Sequence, residues 1–155
     1  MRMRRICSCL IIREFQLATP TLQPGLRHSE ILIVDAGLTV PEVSPSCGSF
    51  REMPPVFATA YMIAFVEFTC MGAIKSHLAP GQHTVGTHVD ISHTAATPIG
   101  MTVTACVELI AVEGRKLRFK VECRDQVDVI GSGFHERTII DTAKFMARLE
   151  AKAKQ

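Results

Sequence analysis

The sequence lacks the markers of several large protein classes, and each absence narrows what the chain can do. Its six cysteines, Cys7, Cys9, Cys47, Cys70, Cys106 and Cys123, include no C-x-x-C pair, so neither a zinc knuckle nor a dithiol redox motif is indicated. No glycine pattern of the Rossmann or P-loop kind occurs. Charge of one sign is scarce as well. Of 17 Lys and Arg and 15 Asp and Glu, the first 21 residues hold four and one, which leaves 13 basic against 14 acidic groups over residues 22–155. That near-neutrality, with no alternation of basic and aromatic residues, gives no electrostatic footprint for nucleic acid. There is no internal repeat and no low-complexity segment.

The N-terminal segment is the odd part. Basic residues precede an apolar run, Ile6 to Ile12, that includes Ser8 and stops at Arg13-Glu14. The run is too short and too interrupted for a signal peptide, and far below the about 20 residues that span a bilayer. We read residues 1–21 as a leader, disordered or not native, and residues 22–155 as one domain. A domain of this size buries a respectable core and often gains further burial by pairing. Cys70, Cys106 and Cys123 fall inside apolar patterns, where a reduced thiol behaves as a small hydrophobe. A reducing, cytoplasmic setting follows.

What is present is a clear change of period along the chain. Leu26 to Val34 reads as a strand, and Pro41 to Pro55, with four prolines and Gly48, as a loop. Val56 to Leu78 then reads as a helix buried on every side, with Thr59 as its N-cap and Pro80-Gly81 as its stop. After it the period falls to two. Val85, Thr87, Val89, Ile91, His93 and Ala95 share one face of a strand, and Gly86, His88, Asp90, Ser92, Thr94 and Ala96 the other. Met101 to Val112 is a further strand, Glu113-Gly114 a hairpin turn, and Lys116 to Arg124 alternates apolar with charged residues. Ile130 to Ile140 supplies the last strand and Thr142 to Lys154 a short charged helix. The expected class is α+β, a hot-dog fold in which an antiparallel β-sheet wraps around a long central α-helix.

One acid stands out in that helix. Glu67 has Ile63, Ala64, Cys70 and Met71 three and four residues away, so no cation on its own helix can pair with it. A buried carboxylate without compensation costs several kcal/mol. Glu67 therefore needs a partner from elsewhere or a chemical role. His93, on the strand face expected to cover the helix, is the candidate partner, because clustered titratable groups in an apolar setting are the pattern of tuned sites. Thr59 lies eight residues before Glu67, ~12 Å along a helix, too far to serve the same reacting atom within one chain. A two-fold dimer that sets one helix start against the other helix centre would join them, so a homodimer with its site at the subunit interface is expected. His83, His88 and His93 recur every fifth residue, but a strand puts His88 on the opposite face, so no metal site is expected. His77 reads as a helix-end residue and His135 as a sheet-surface one.

These segments carry a resemblance. Val56-Phe57-Ala58-Thr59 with Glu67, Val85-Gly86-Thr87, Ser92-His93-Thr94-Ala95-Ala96-Thr97-Pro98, Val112-Glu113-Gly114-Arg115 and Gly131-Ser132-Gly133-Phe134-His135-Glu136-Arg137 occur in the order and spacing of one family. In them the chain resembles the fluoroacetyl-CoA thioesterase family of hot-dog proteins, over roughly Leu22 to Lys152. The resemblance implies a thioester hydrolase acting on a small acyl-CoA, with Thr59, Glu67 and His93 as catalytic trio. It also implies that Gly86 and Arg137 place the thioester and acyl group, and that Phe50 and Met53 occupy the lid over the acyl pocket. Met53 stands where the family has a second lid phenylalanine. No cofactor is implied beyond the CoA carried by the substrate.

Hydrolysis suits these residues. A thiol with pKa about 8.5 leaves readily, so attack on the carbonyl needs the help. Glu67 would act as general base on water or as the nucleophile, with His93 orienting it or moving a proton. Two alternatives remain at this level: a hot-dog enoyl-CoA hydratase, although no Asp-x-Asn-Pro-x-His arrangement is present, and a non-catalytic acyl-CoA binding protein.

Overall fold

The computed structural model describes residues 21–44 and 46–155. The leader assigned to residues 1–21 lies outside the described residues except for its last position. The chain begins with β1 (Arg27–Ile33), passes through two 3-10 turns and a one-turn helix α1 (Gly48–Arg51), and enters the central helix α2 (Thr59–Ile74). Four strands follow, β2 (Gln82–Ile91), β3 (Thr102–Glu113), β4 (Lys116–Arg124) and β5 (Val129–Asp141), and then helix α3 (Thr142–Ala153). The five strands form one antiparallel sheet in the order β1-β3-β4-β5-β2, so β1 and β2 are its edges.

The sheet curls around α2 because its strands present one apolar face. β4 shows this most plainly: Leu117, Phe119, Val121 and Cys123 are buried, and the charged residues between them are exposed. Against this face α2 sets Met62, Phe65, Val66, Cys70, Ala73 and Ile74, which join Phe57, Val103, Leu109 and Ile130 in one core. Each fully buried Val, Leu, Ile, Phe or Met side chain among them contributes roughly 1.5–3 kcal/mol. The Thr69 hydroxyl, also buried, donates to the Phe65 carbonyl one turn back at 2.8 Å and so remains satisfied.

The helix differs from expectation at both ends and on one side. Ala58, in extended conformation, is the residue before the first turn, and Thr59 is the first helical residue, with its hydroxyl free for another partner. Regular α-helix stops at Ile74, and the 3-10 turn Lys75–His77 carries the chain to Gly81, whose φ of +80° suits glycine. Nor is α2 buried all round: Ala60, Ala64, Phe68, Met71 and Gly72 form an exposed stripe, with Phe68 55% exposed. Cys106 departs too. It sits on the outer face of β3, exposed, whereas Cys70 and Cys123 are buried as expected.

The β2 faces are corrected by one extra residue. The register pairs Gly86 with Arg137 and then His88 with Glu136, which leaves Thr87 as a bulge. Gly86 and Val89, opposite Arg137 and His135, therefore share the face toward α2, although strict alternation puts them on opposite sides. β2 also starts earlier than expected and takes in His83.

Candidate active site

Two clusters of polar side chains lie on α2, one at its start and one at its middle. At the start, Thr59 Oγ1 lies 2.8 Å from His93 Nδ1. His93 is just past the end of β2, in a segment that still follows β5: Ser92 N donates to Ser132 O at 2.9 Å and Thr94 N to Ile130 O at 2.8 Å. Phe57, buried beside the helix start, meets the imidazole edge-on with ring centroids 6.4 Å apart. The His93 arm is tied down through Thr97, whose carbonyl accepts from Phe57 N at 2.9 Å and whose hydroxyl donates to Asp125 Oδ2 at 2.9 Å. Asp125 in turn accepts from Val127 N and Asp128 N, and these bonds, with the Asp128 amide foremost, hold its carboxyl below the usual value.

Burial pulls the His93 pKa down, with the Ala95 backbone opposing, so the ring is neutral near pH 7. Its other nitrogen, Nε2, is buried and has no hydrogen-bond partner among the described residues. A buried ring nitrogen left unpaired is costly, and it marks where a further polar group belongs.

The second cluster surrounds Glu67. Its Oε1 lies 3.5 Å from Arg137 Nη1 and 3.5 Å from His135 Nε2, both on β5, while the Glu67 side chain keeps 36% of its exposure. Gly86 of β2 completes the arrangement, because a Cβ there would collide with Glu67 Oε1. The missing side chain is thus what lets the carboxylate lie against the strand. Arg137 is 3% exposed, and burial lowers its pKa while Glu67 opposes that shift. Cys70, beneath this group, is pushed up to about 12, chiefly by burial, and stays a thiol.

The structure therefore brings together Thr59 with His93, and Glu67 with Gly86 and Arg137, but does not join the two groups within one chain. His93 pairs with Thr59 and not with Glu67, because β2 ends before it and the following segment crosses the start of α2. The continuous helix fixes Thr59 and Glu67 ~12 Å apart. Phe50 and Met53 stand 36% and 49% exposed around α1, ahead of the Thr59 end of α2.

His135 was missed by sequence reasoning. It is fully buried, not on the sheet surface, and touches both Arg137 and Glu67. No alternation in β5 marks it; the pairing with β4 does, since His135 stands opposite buried Phe119 and Arg137 opposite buried Leu117. A groove of about 400 Å3 runs from Thr84 along Phe68, Met71, Ile74 and Leu78, next to the Glu67 cluster. A depression of about 540 Å3 lies on the outer sheet face around Ser29, Cys106 and Lys120, away from both clusters.

Comparison with known proteins gives this geometry a context. Residues 41–143 match the model of the fluoroacetyl-CoA-specific thioesterase family. The chain is 42% identical over 131 residues to the fluoroacetyl-CoA thioesterase of Streptantibioticus cattleyicolor, covering 84% of this chain and 94% of that protein. The chain belongs to the fluoroacetyl-CoA-specific thioesterase family. A solved structure of a fluoroacetyl-CoA thioesterase superposes with a TM-score of 0.84 at 41% identity, over 86% of this chain and 98% of the other, and a variant of such an enzyme has been solved with fluoroacetate and CoA. A hot-dog-like protein from Thermanaerovibrio acidaminovorans, 20% identical, matches with a TM-score of 0.72 over 83% and 91% of the two chains, a likeness of fold. The hot-dog assignment and the family resemblance read from the sequence both hold.

Proposed function

We propose that the chain hydrolyses a small acyl-CoA thioester to the free acid and CoA, and does so as a homodimer whose sites each combine Thr59 and His93 of one protomer with Glu67 of the partner subunit. The observation that carries this reading is the buried Nε2 of His93, which has no partner among the described residues. In the tautomer that lets the Thr59 hydroxyl donate to Nδ1, the ring proton sits on Nε2 and a carboxylate is its natural acceptor. Glu67 of the same helix is ~12 Å from Thr59. A second copy supplies one. Among the described residues β2 is an unpaired sheet edge, and the apolar stripe Ala60, Ala64, Phe68 and Met71 on α2 is exposed.

In the assembled site Glu67 either takes a proton from the water that attacks the thioester carbonyl or attacks that carbonyl itself, expelling CoA thiolate and forming an anhydride that water then hydrolyses. His93, kept neutral by burial, takes up or passes on a proton, and Thr59 positions the ring and the attacking group. Gly86 offers backbone that a thioester can approach closely. The leaving thiolate, with a conjugate pKa of about 8.5, needs little assistance. CoA arrives as part of the substrate, and no cofactor takes part. Among the described residues no helix is long and apolar enough to cross a membrane. We place the enzyme in the cytoplasm because Cys70 and Cys123, buried in the apolar core, form no disulfide among the described residues.

Thiol release measured across acyl-CoA esters of increasing length, with fluoroacetyl-CoA included, tests the reading. Turnover is expected on short acyl esters and is expected to collapse in Glu67→Gln. Tight binding of all esters without thiol release would leave an acyl-CoA binding protein, and hydration of an enoyl-CoA without thiol release a hydratase.

A further inference from the structure

One buried titratable side chain plays no part in the proposed reaction. It is His135, on β5, at 0% exposure. Its two ring nitrogens face different partners. Nδ1 is 2.8 Å from the His88 carbonyl oxygen across the β2–β5 pairing, and Nε2 is 3.1 Å from Arg137 Nη1. A carbonyl oxygen only accepts, so Nδ1 carries the ring proton. Burial and the Arg137 charge both lower the His135 pKa and keep the ring neutral. Nε2 is then a lone pair that accepts from Arg137, and its 3.5 Å approach to Glu67 Oε1 is a contact without an ion pair.

The guanidinium is held on its remaining edges by Thr84. Arg137 Nε donates to Thr84 Oγ1 at 2.9 Å, and Nη2 donates to the Thr84 carbonyl at 3.0 Å. A planar fork fixed at these three points has one direction left for the second N–H of Nη1, toward Glu67 Oε1 at 3.5 Å. These are internal bonds of a side chain that is 3% exposed.

We propose that His135, together with Thr84, is a positioning residue for thioester hydrolysis: it fixes Arg137, and through Arg137 it fixes the Glu67 carboxylate. This rests on the reading of Glu67 as a reacting group. A carboxylate whose partner can swing samples positions beside the reactive one, and a misplacement of about 1 Å in such a site can cost on the order of 100-fold in rate.

Two amide substitutions separate this role from a merely structural one. In His135→Gln the side chain reaches the position of Nε2 and still offers Arg137 an acceptor. In His135→Asn it reaches the position of Nδ1 and keeps only the tie to His88. Steady-state thiol release, with thermal melting as the check on folding, is expected to show kcat in His135→Asn reduced roughly 10- to 100-fold with KM little changed. His135→Gln is expected to recover most of that loss. Recovery by Asn in place of Gln, or equal kcat in the two variants, overturns the proposal. Thr84→Val keeps the branched shape and removes one acceptor. It is expected to lower kcat by about tenfold at unchanged KM, and an unchanged kcat overturns the proposal even if the His135 variants fail to fold. Glu67→Gln is assayed alongside: full turnover there sinks the reading of Glu67 itself, whereas a dead Glu67→Gln beside a wild-type Thr84→Val sinks only the positioning role.

Discussion

Thr59 and His93, 34 residues apart in sequence, meet at 2.8 Å, while Glu67, on the same helix as Thr59, faces Arg137 and His135 of β5. A straight helix cannot bring its first residue and its ninth to one reacting atom. The division of the trio between two clusters is therefore a property of the fold, and it has a direct test.

Thr59→Ala and Glu67→Gln should each be nearly inactive as pure proteins. When the two are unfolded and refolded together, half of the dimers carry one of each chain, and each such dimer regains one intact site out of two. About a quarter of wild-type turnover should return. No recovery in a mixture shown to contain heterodimers would place the trio within single chains.

Gly86→Ala puts a methyl group against Glu67 Oε1 and 3.2 Å from His135 Cε1. Overpacking of this kind costs about 1–3 kcal/mol, and the carboxylate is the group free to yield. Turnover should fall more than about tenfold in a protein that still folds. Wild-type thiol release from a folded Gly86→Ala would show that the glycine is not needed for the close approach.

Stability should fall on acidification in two windows. His93 and His135 have folded pKa values lowered first by burial. Around His135 stand Arg137, which lowers it further, and Glu67 and Glu136, which oppose. Below about pH 6.5 the unfolded chain takes up protons that the folded one refuses, so stability is complete above that pH and declines as pH drops toward the folded values. Asp125, held below 3.8 by its amide hydrogen bonds, loses its contribution only at lower pH still. Melting temperature against pH should decline from about pH 6.5 downward, and less steeply in His135→Gln. Parallel curves for the two proteins would remove His135 from this account.

Met53 sits 49% exposed where the family resemblance expects a lid phenylalanine. A thioether packs more loosely than a ring. The ratio of kcat/KM for fluoroacetyl-CoA over acetyl-CoA should therefore rise in Met53→Phe. An unchanged ratio would show that position 53 does not gate the acyl pocket.

Much of the fold was legible because its signals are local. The alternation of Leu117, Phe119, Val121 and Cys123 against charged neighbours marks β4 to the residue, and the apolar composition of α2, interrupted by the single charge of Glu67, marks the central helix. Faces were harder to assign. The bulge at Thr87 moves Gly86 to the side of Val89, and nothing in the alternation announces an inserted residue. Cys106 failed for a related reason: it lies in an apolar run but on the solvent side of β3.

By itself the sequence determined that Glu67 stands in an apolar helix with no cation on that helix to answer it, that Thr59 is two turns away, and that the chain carries the motifs of an acyl-CoA thioesterase. Spacing along one element is enough for such statements. Only the tertiary structure decided which strand answers Glu67, that His93 belongs to Thr59, and that His135 is buried beside Arg137. Those pairings join residues dozens of positions apart, and their partners are set by strand register and by how the sheet closes over the helix, which no local pattern encodes.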